Sequence, residues 1–158
     1  MLKVSEVMTA NPVCVGLDDP LKRVKSLFDV HRFHHLLVTD EGKLTGVISD
    51  RDVLRWISPH IDSNRVTVND RSTLDIPVHR VVTRHPITIG PEEAALSAVS
   101  IFNQHRISCI PVVDAQGQPL GIVSWRDILR HLHDLAPDLG AHHRSSPPPS
   151  SQARSPAP

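Results

Sequence analysis

At 158 residues the chain has room for one domain, or for two very small ones sharing a core. Its 17 basic and 17 acidic side chains cancel and aromatic residues make up only 3%, which excludes a global field or a stacking surface for nucleic acid or an anionic membrane. With 39% hydrophobic and 22% charged residues, no apolar run long enough for a bilayer and no secretory leader pattern, the composition is that of a cytoplasmic globule. Cys14 and Cys109 stand apart without CxxC spacing, so neither a disulfide framework nor a zinc site is expected.

In chain order, Pro12 to Val15 reads as a short strand. Asp18-Asp19-Pro20 then opens a helix with a capping acid and a proline suited to the first turn. On that helix Leu21, Val24, Leu27 and Phe28 form one apolar stripe. Leu36 to Val38 and Leu44 to Ile48 are strands around the turn Asp40-Glu41-Gly42-Lys43, and Ser49 starts a second helix bearing Val53, Leu54, Trp56 and Ile57. The polar, poorly periodic stretch from Ser58 to Ile76 reads as a mobile connector. A second helix-forming stripe, Ala95, Ala98, Ile101 and Phe102, begins near Pro91-Glu92-Glu93. After Leu135 the Pro/Ser-rich composition cannot offset the cost of ordering and predicts a disordered tail over residues 136–158.

This series is a duplication. Val7-Met8-Thr9-Ala10-Asn11-Pro12-Val13-Cys14-Val15 returns as Val81-Val82-Thr83-Arg84-His85-Pro86-Ile87-Thr88-Ile89, and His31-Arg32 returns as His105-Arg106. Val38-Thr39-Asp40 matches Val112-Val113-Asp114. Gly46-Val47-Ile48-Ser49-Asp50-Arg51-Asp52 matches Gly121-Ile122-Val123-Ser124-Trp125-Arg126-Asp127, with one extra residue in the turn before Gly121. The boundaries are a first repeat at 1–60, a connector at 61–77 and a second repeat at 78–135. Each copy has a small sheet and is short of the material for a core of its own, so the two are expected to pack about a pseudo-twofold axis and leave a cleft along it.

The blocks Val-Met-Thr-x-x-Pro, Ile110-Pro111-Val112-Val113-Asp114 and the doubled Gly-hydrophobic-x-Ser-x-x-Asp resemble the CBS repeat family, and the pair resembles a Bateman module. The resemblance runs from about Val4 to His133. It implies a mixed α/β (α+β) fold of two β-α-β-β-α repeats. It also implies a regulatory ligand containing adenosine (AMP, ADP, ATP or S-adenosylmethionine) and a disc-like homodimer that signals to a partner protein.

Physically, Ser49-Asp50-Arg51-Asp52 and Ser124-Trp125-Arg126-Asp127 each place a serine at a helix N-terminus, where free N–H groups and the dipole favour phosphate. By resemblance, Asp52 and Asp127 hold ribose, while Ser49, Arg51, Ser124 and Arg126 lie near ribose and phosphate. Ser-x-x-Asp is equally the pattern of a capping box, and the carboxylate could change partners when ligand arrives. By the same resemblance adenine falls to the segments Thr9–Val13 and Thr83–Ile87, with Val13 and Ile87 readable also as plain core, and Ile110 and Pro111 are further ligand-binding candidates.

His34 and His35 occupy the place where AMP-activated kinase γ subunits carry a phosphate-contacting His-Arg-Leu-Pro. The second copy has Ser108-Cys109 there, and Pro111 replaces Leu37, so two unequal half-sites with at most one tight site are expected. His31, His34 and His35 straddle a helix-to-strand change, which argues for solvated or capping histidines over a metal site. Trp56 and Trp125 read as packing residues, Trp125 alternatively as a ligand cover. No Walker loop, GxGxxG, nucleophile elbow or HExxH is present, so the expectation is a stand-alone regulatory module without cofactor or catalysis. The alternative is a protein–protein interaction module with no small ligand.

Overall fold

The computed structural model describes residues 1–135, and the tail expected over 136–158 lies outside them. The elements are α1 (Val4–Val7), β1 (Thr9–Ala10), β2 (Cys14–Gly16), α2 (Leu21–Val30), β3 (His35–Asp40), β4 (Lys43–Ser49) and α3 (Asp50–Trp56). A connector helix α4 (Val68–Ser72) and two single 3₁₀ turns follow. Then come β5 (Thr83–Arg84), α5 (Ala95–Gln104), β6 (Cys109–Val113), β7 (Pro119–Ser124) and α6 (Trp125–Leu135).

Two small sheets result, with strand orders β2-β3-β4-β5 and β1-β7-β6. Their composition crosses the repeats. β1 belongs to the first copy by sequence but pairs with β7, Thr9 against Ile122 and Ala10 against Gly121. In return β5 pairs with β4, Thr83 against Val47 and Arg84 against Gly46. Equivalent residues thus make equivalent exchanges, which is the pseudo-twofold relation written in strand register.

Gly46 and Gly121 make the exchange possible. A Cβ on Gly46 would stand 2.6 Å from the Thr83 carbonyl oxygen and against the Val82 side chain, and one on Gly121 would stand 2.9 Å from the Thr9 carbonyl oxygen and 2.5 Å from Met8 Sδ. Only a glycine lets the crossing strand approach this closely. Beyond each crossing strand the chain turns at Asn11 (φ 52°) and His85 (φ 53°), left-handed residues before Pro12 and Pro86. Asn and His are among the side chains that tolerate that region, and the kink carries the chain from one sheet to the other.

Two cores fill the sheets' inner sides. One gathers Val15, Leu21, Val24, Leu36, Val38, Ile48, Val53, Ile57 and Val78, with Ile61, Leu74 and Ile76 of the connector packed against it. The other gathers Ile89, Ala95, Ala98, Ile110, Val112 and Val123, with Val4 and Val7 of α1. Each copy was too small to close alone, and each is completed by chain from outside it.

The connector is therefore no loose tether, contrary to its polar composition. Thr67 caps α4, and Asp70 Oδ1 accepts from the Ser58 hydroxyl at 2.6 Å while its Oδ2 accepts from the Thr67 hydroxyl at 2.7 Å. The Ser58 hydroxyl above all, then Thr67, holds the Asp70 carboxyl down at about 2. Nor does an acid cap α2. Pro20 takes the N-cap position without a side-chain bond, and Asp19 Oδ2 instead accepts from the Gly16 N–H at 2.7 Å. α5 likewise starts at Ala95, later than Pro91 suggested.

The repeats differ at one strand. β2 runs parallel to β3 over Cys14–Gly16, whereas its counterpart shrinks to a single parallel bridge between Ile89 and Val112. Leu37 donates its N–H to the Val13 carbonyl at 3.3 Å. Its counterpart Pro111 has no N–H to give to Ile87, so the ladder cannot start there.

Candidate functional site

A cavity of about 650 Å³ opens between the two sheets. The first copy contributes Thr9–Val13 through Thr9, Asn11, Pro12 and Val13, together with His34 and His35 from the start of β3 and Ser49 and Arg51 from the β4–α3 junction. The second contributes Ser108 and Cys109 from the start of β6 and Ser124, Trp125, Arg126 and Asp127 from the β7–α6 junction. The reason is the register: His35 lies opposite Ser49 and Cys109 opposite Ser124, so in each sheet the same end holds a strand start and a helix start.

Both Ser-x-x-Asp motifs form closed capping boxes. Asp52 Oδ2 accepts from the Ser49 hydroxyl at 2.6 Å and its N–H at 3.0 Å, and Asp127 Oδ2 accepts from the Ser124 hydroxyl at 2.6 Å and its N–H at 2.8 Å. One oxygen of each acid is thus committed to its own helix. The other oxygen of Asp127 accepts from Arg130 Nη1 at 3.4 Å.

His34 Nδ1 meets Asp50 Oδ2 at 2.7 Å, and Asp50 Oδ1 accepts the Arg51 N–H at 2.7 Å. His35 Nε2 lies 3.1 Å from the Ser108 hydroxyl, a bond that bridges the two repeats. Burial, ahead of the opposing pull of Asp50 and the like-charge push of His34, lowers the pKa of His35 from its ordinary value. At neutral pH its ring is therefore neutral. His31 stacks on Phe33 at 5.0 Å, so the three histidines that could have suggested a metal face three different partners.

Charge decides what the cavity can hold. Arg32, Arg51, Arg126 and Arg130 line it against the carboxylates of Asp50 and Asp127. Among the described residues the first three make no ion pair, and Arg126 rests on the Trp125 ring at 5.3 Å. Val13, Phe33, Leu37 and Ile122 add an apolar part to the same lining. Such a chamber suits a flat heterocycle attached to an anion. A shallower depression of about 320 Å³ between α2 and the connector gathers no motif residue, and its Lys25 is already held by Asp29 at 2.7 Å and Asp62 at 3.3 Å.

The CBS domain family matches residues 4–59 and 78–134. The chain belongs to that family. Arabinose 5-phosphate isomerase KdsD of Pseudomonas aeruginosa is 30% identical over 95 residues, covering 60% of this chain and 26% of the isomerase. The chain spans less than half the length of the first curated relatives it matches. Among solved structures, CBSX2 in complex with AMP superposes with a TM-score of 0.70 at 23% identity, covering 85% of this chain and 98% of the other. The CBS domain pair of protein MJ0100, in complex with 5′-methylthioadenosine and S-adenosylmethionine, gives 0.69 at 23% identity, with the same coverages. These likenesses establish the shared fold of two CBS repeats.

Within this CBS pair the residues singled out from the sequence divide. Thr9, Val13, His34, His35, Ser49, Arg51, Ser124, Arg126 and Asp127 line the one cavity. Val13 is 37% exposed there and is not core. Asp52, Thr83, Ile87, Ile110 and Pro111 do not line it. Ile110 is fully buried in the second core, and Pro111 is buried with its carbonyl accepting from the Ile89 N–H at 3.1 Å. Thr83 pairs with Val47 in the same exchange that Thr9 makes with Ile122, but only Thr9 borders the cavity.

Of the other lining residues, Arg32, Phe33 and Arg130 had not been singled out from the sequence, and Asp50 had been given no role. Arg32 and Arg130 each had a signal, since both are repeated, as Arg106 and Arg55. Trp125, read first as a packing residue, is 44% exposed on the cavity's rim; Trp56 is 41% exposed and carries Arg80 on its ring at 5.9 Å. No helix among the described residues is long and apolar enough to cross a membrane.

Proposed function

We propose that this CBS pair is a regulatory module, not a catalyst, that binds one adenosine-containing ligand in the inter-repeat cavity and passes the effect to a partner protein. The observation that carries this reading is the convergence of Thr9–Val13 and His34–His35 from one repeat with Ser124–Asp127 from the other on one basic, part-apolar chamber. In it, Asp127 takes the ribose hydroxyls and the α6 N-terminus with Ser124 and Arg126 takes phosphate. His34 and Arg51 approach phosphate from across the axis, and the base rests on the apolar wall near Val13. Complexes of CBSX2 with AMP and of MJ0100 with S-adenosylmethionine support the ligand class. The ligand acts as an effector, its coupling to the partner being about 1–3 kcal/mol, as for allosteric linkage in general.

A homodimer is part of the reading. α6 leaves Leu129 and Leu132 each 54% exposed one turn apart and in line with Trp125, an apolar stripe that a second copy would cover. The same stripe supports the second reading, an interaction module without a small ligand. Free Cys14 and Cys109 suit a reducing, cytoplasmic setting.

Calorimetric titration with AMP, ADP, ATP and S-adenosylmethionine separates the readings. Binding of at least one, weakened about tenfold or more by Asp127→Ala and much less by Asp52→Ala, is the expected result. No heat with any of the four at millimolar concentration would favour the interaction module.

A further inference from the structure

The two motif acids differ in one contact. Asp127 Oδ1 accepts from Arg130 Nη1 at 3.4 Å, and Arg130 itself lines the cavity. Arg55, its counterpart in the first repeat, does neither: among the described residues it makes no ion pair, and it is absent from the lining. Because Oδ2 of Asp127 is committed to the Ser124 hydroxyl at 2.6 Å, Oδ1 is the oxygen that remains for an incoming hydroxyl. A ribose hydroxyl that reaches it competes with Arg130 for that oxygen. The Asp127 side chain is 11% exposed and that of Arg130 70%, so Arg130 is the partner that can move.

Where a displaced Arg130 goes depends on the ligand. The cavity already holds Arg32, Arg51 and Arg126, and its other acid, Asp50, has Oδ2 taken by His34 and Oδ1 by the Arg51 N–H. A riboside without phosphate leaves one more guanidinium unpaired among like charges. A phosphate monoester brings roughly −1.5 to −2 charges and oxygens spaced for a bidentate guanidinium.

We propose that Arg130 is a specificity-determining residue: it competes with ribose for Asp127 and moves to the phosphate of ligands that carry one, so that phosphorylated adenosine compounds are favoured over unphosphorylated ones. This rests on the adenosine-ligand reading and adds to it a choice, nucleotide over nucleoside, and the residue that makes the choice.

The test is a paired calorimetric titration of the full chain with AMP and with adenosine, for the wild type, Arg130→Ala and Arg130→Lys. The wild type should prefer AMP. In Arg130→Ala, AMP should lose about tenfold or more in affinity, while adenosine gains up to about fivefold, the worth of an exposed ion pair. Arg130→Lys, which keeps the charge but not the fork, should fall between the two. Thermal unfolding should show the variants folded, since Arg130 is exposed on its helix. Equal weakening of AMP and adenosine, or no change in either, overturns the role of Arg130 alone. A folded wild type that binds neither compound overturns the ligand reading itself and the proposal with it.

Discussion

The two repeats carry related sequences to the same fold, yet they contribute different walls to one cavity. Each gives its opening strand to the other's sheet across a glycine, and each closes its last helix with a serine–aspartate box. They part at several paired positions, of which three show the consequence most directly. Leu37 against Pro111 decides whether the inner parallel strand has three residues or a single bridge. His35 against Cys109 sets a titratable ring opposite a thiol that burial has pushed up to about 12. Arg130 reaches the acid of its repeat, and Arg55 does not. A duplicated frame fixes where a cavity forms, and a few unpaired differences fix what each wall of it offers.

The glycine pair gives the sharpest way to break this symmetry. Gly46→Ala and Gly121→Ala should each destabilise the fold by about 1–3 kcal/mol in urea unfolding, since a forced methyl must push a strand aside. Gly46→Ala should cost more. Its Cβ would meet a backbone carbonyl at 2.6 Å and the stiff Val82, whereas at Gly121 the nearest atom belongs to the flexible Met8. Equal, negligible losses would mean that the strands do not cross as closely as this.

A smaller effect separates His35 from Cys109. Burial lowers the His35 pKa, so as pH falls the unfolded chain takes up its proton first. The stability from this group is complete above the unfolded value near 6.5 and is lost as pH drops below it toward the folded value. His35→Gln should flatten the fall of the unfolding midpoint in that window. Cys109→Ser should leave its slope intact, because the thiol does not titrate there. An unchanged slope in His35→Gln would place the pH dependence elsewhere.

Much of this frame was legible in the sequence. The repeat register, the amphipathic stripes of α2 and α5 and the Ser-x-x-Asp boxes follow from periodicity and capping chemistry, which are local. The strand exchange was not, because Thr9 and Thr83 reveal nothing of which sheet they join until the chain turns at Asn11 and His85. The connector was misjudged for a related reason: its polar surface hides Ile61, Leu74 and Ile76, spaced too irregularly for a periodic signal yet packed on the first core. Within the site, Ser124, Arg126 and His34 could be named from motif position. Arg32 and Arg130 carried only the signal of being repeated, and Phe33 none, since tertiary packing is what turns them toward the cavity.

One unequal cavity, built from the opening segment of the first repeat and the closing motif of the second, implies a single nucleotide site. Counting nucleotide bound per chain at saturation, by equilibrium dialysis with ADP, tests it most directly. One ADP per chain, lost in Asp127→Ala and retained in Asp52→Ala, is the expected count. Two per chain, with each substitution removing one, would contradict it and make the halves equivalent after all.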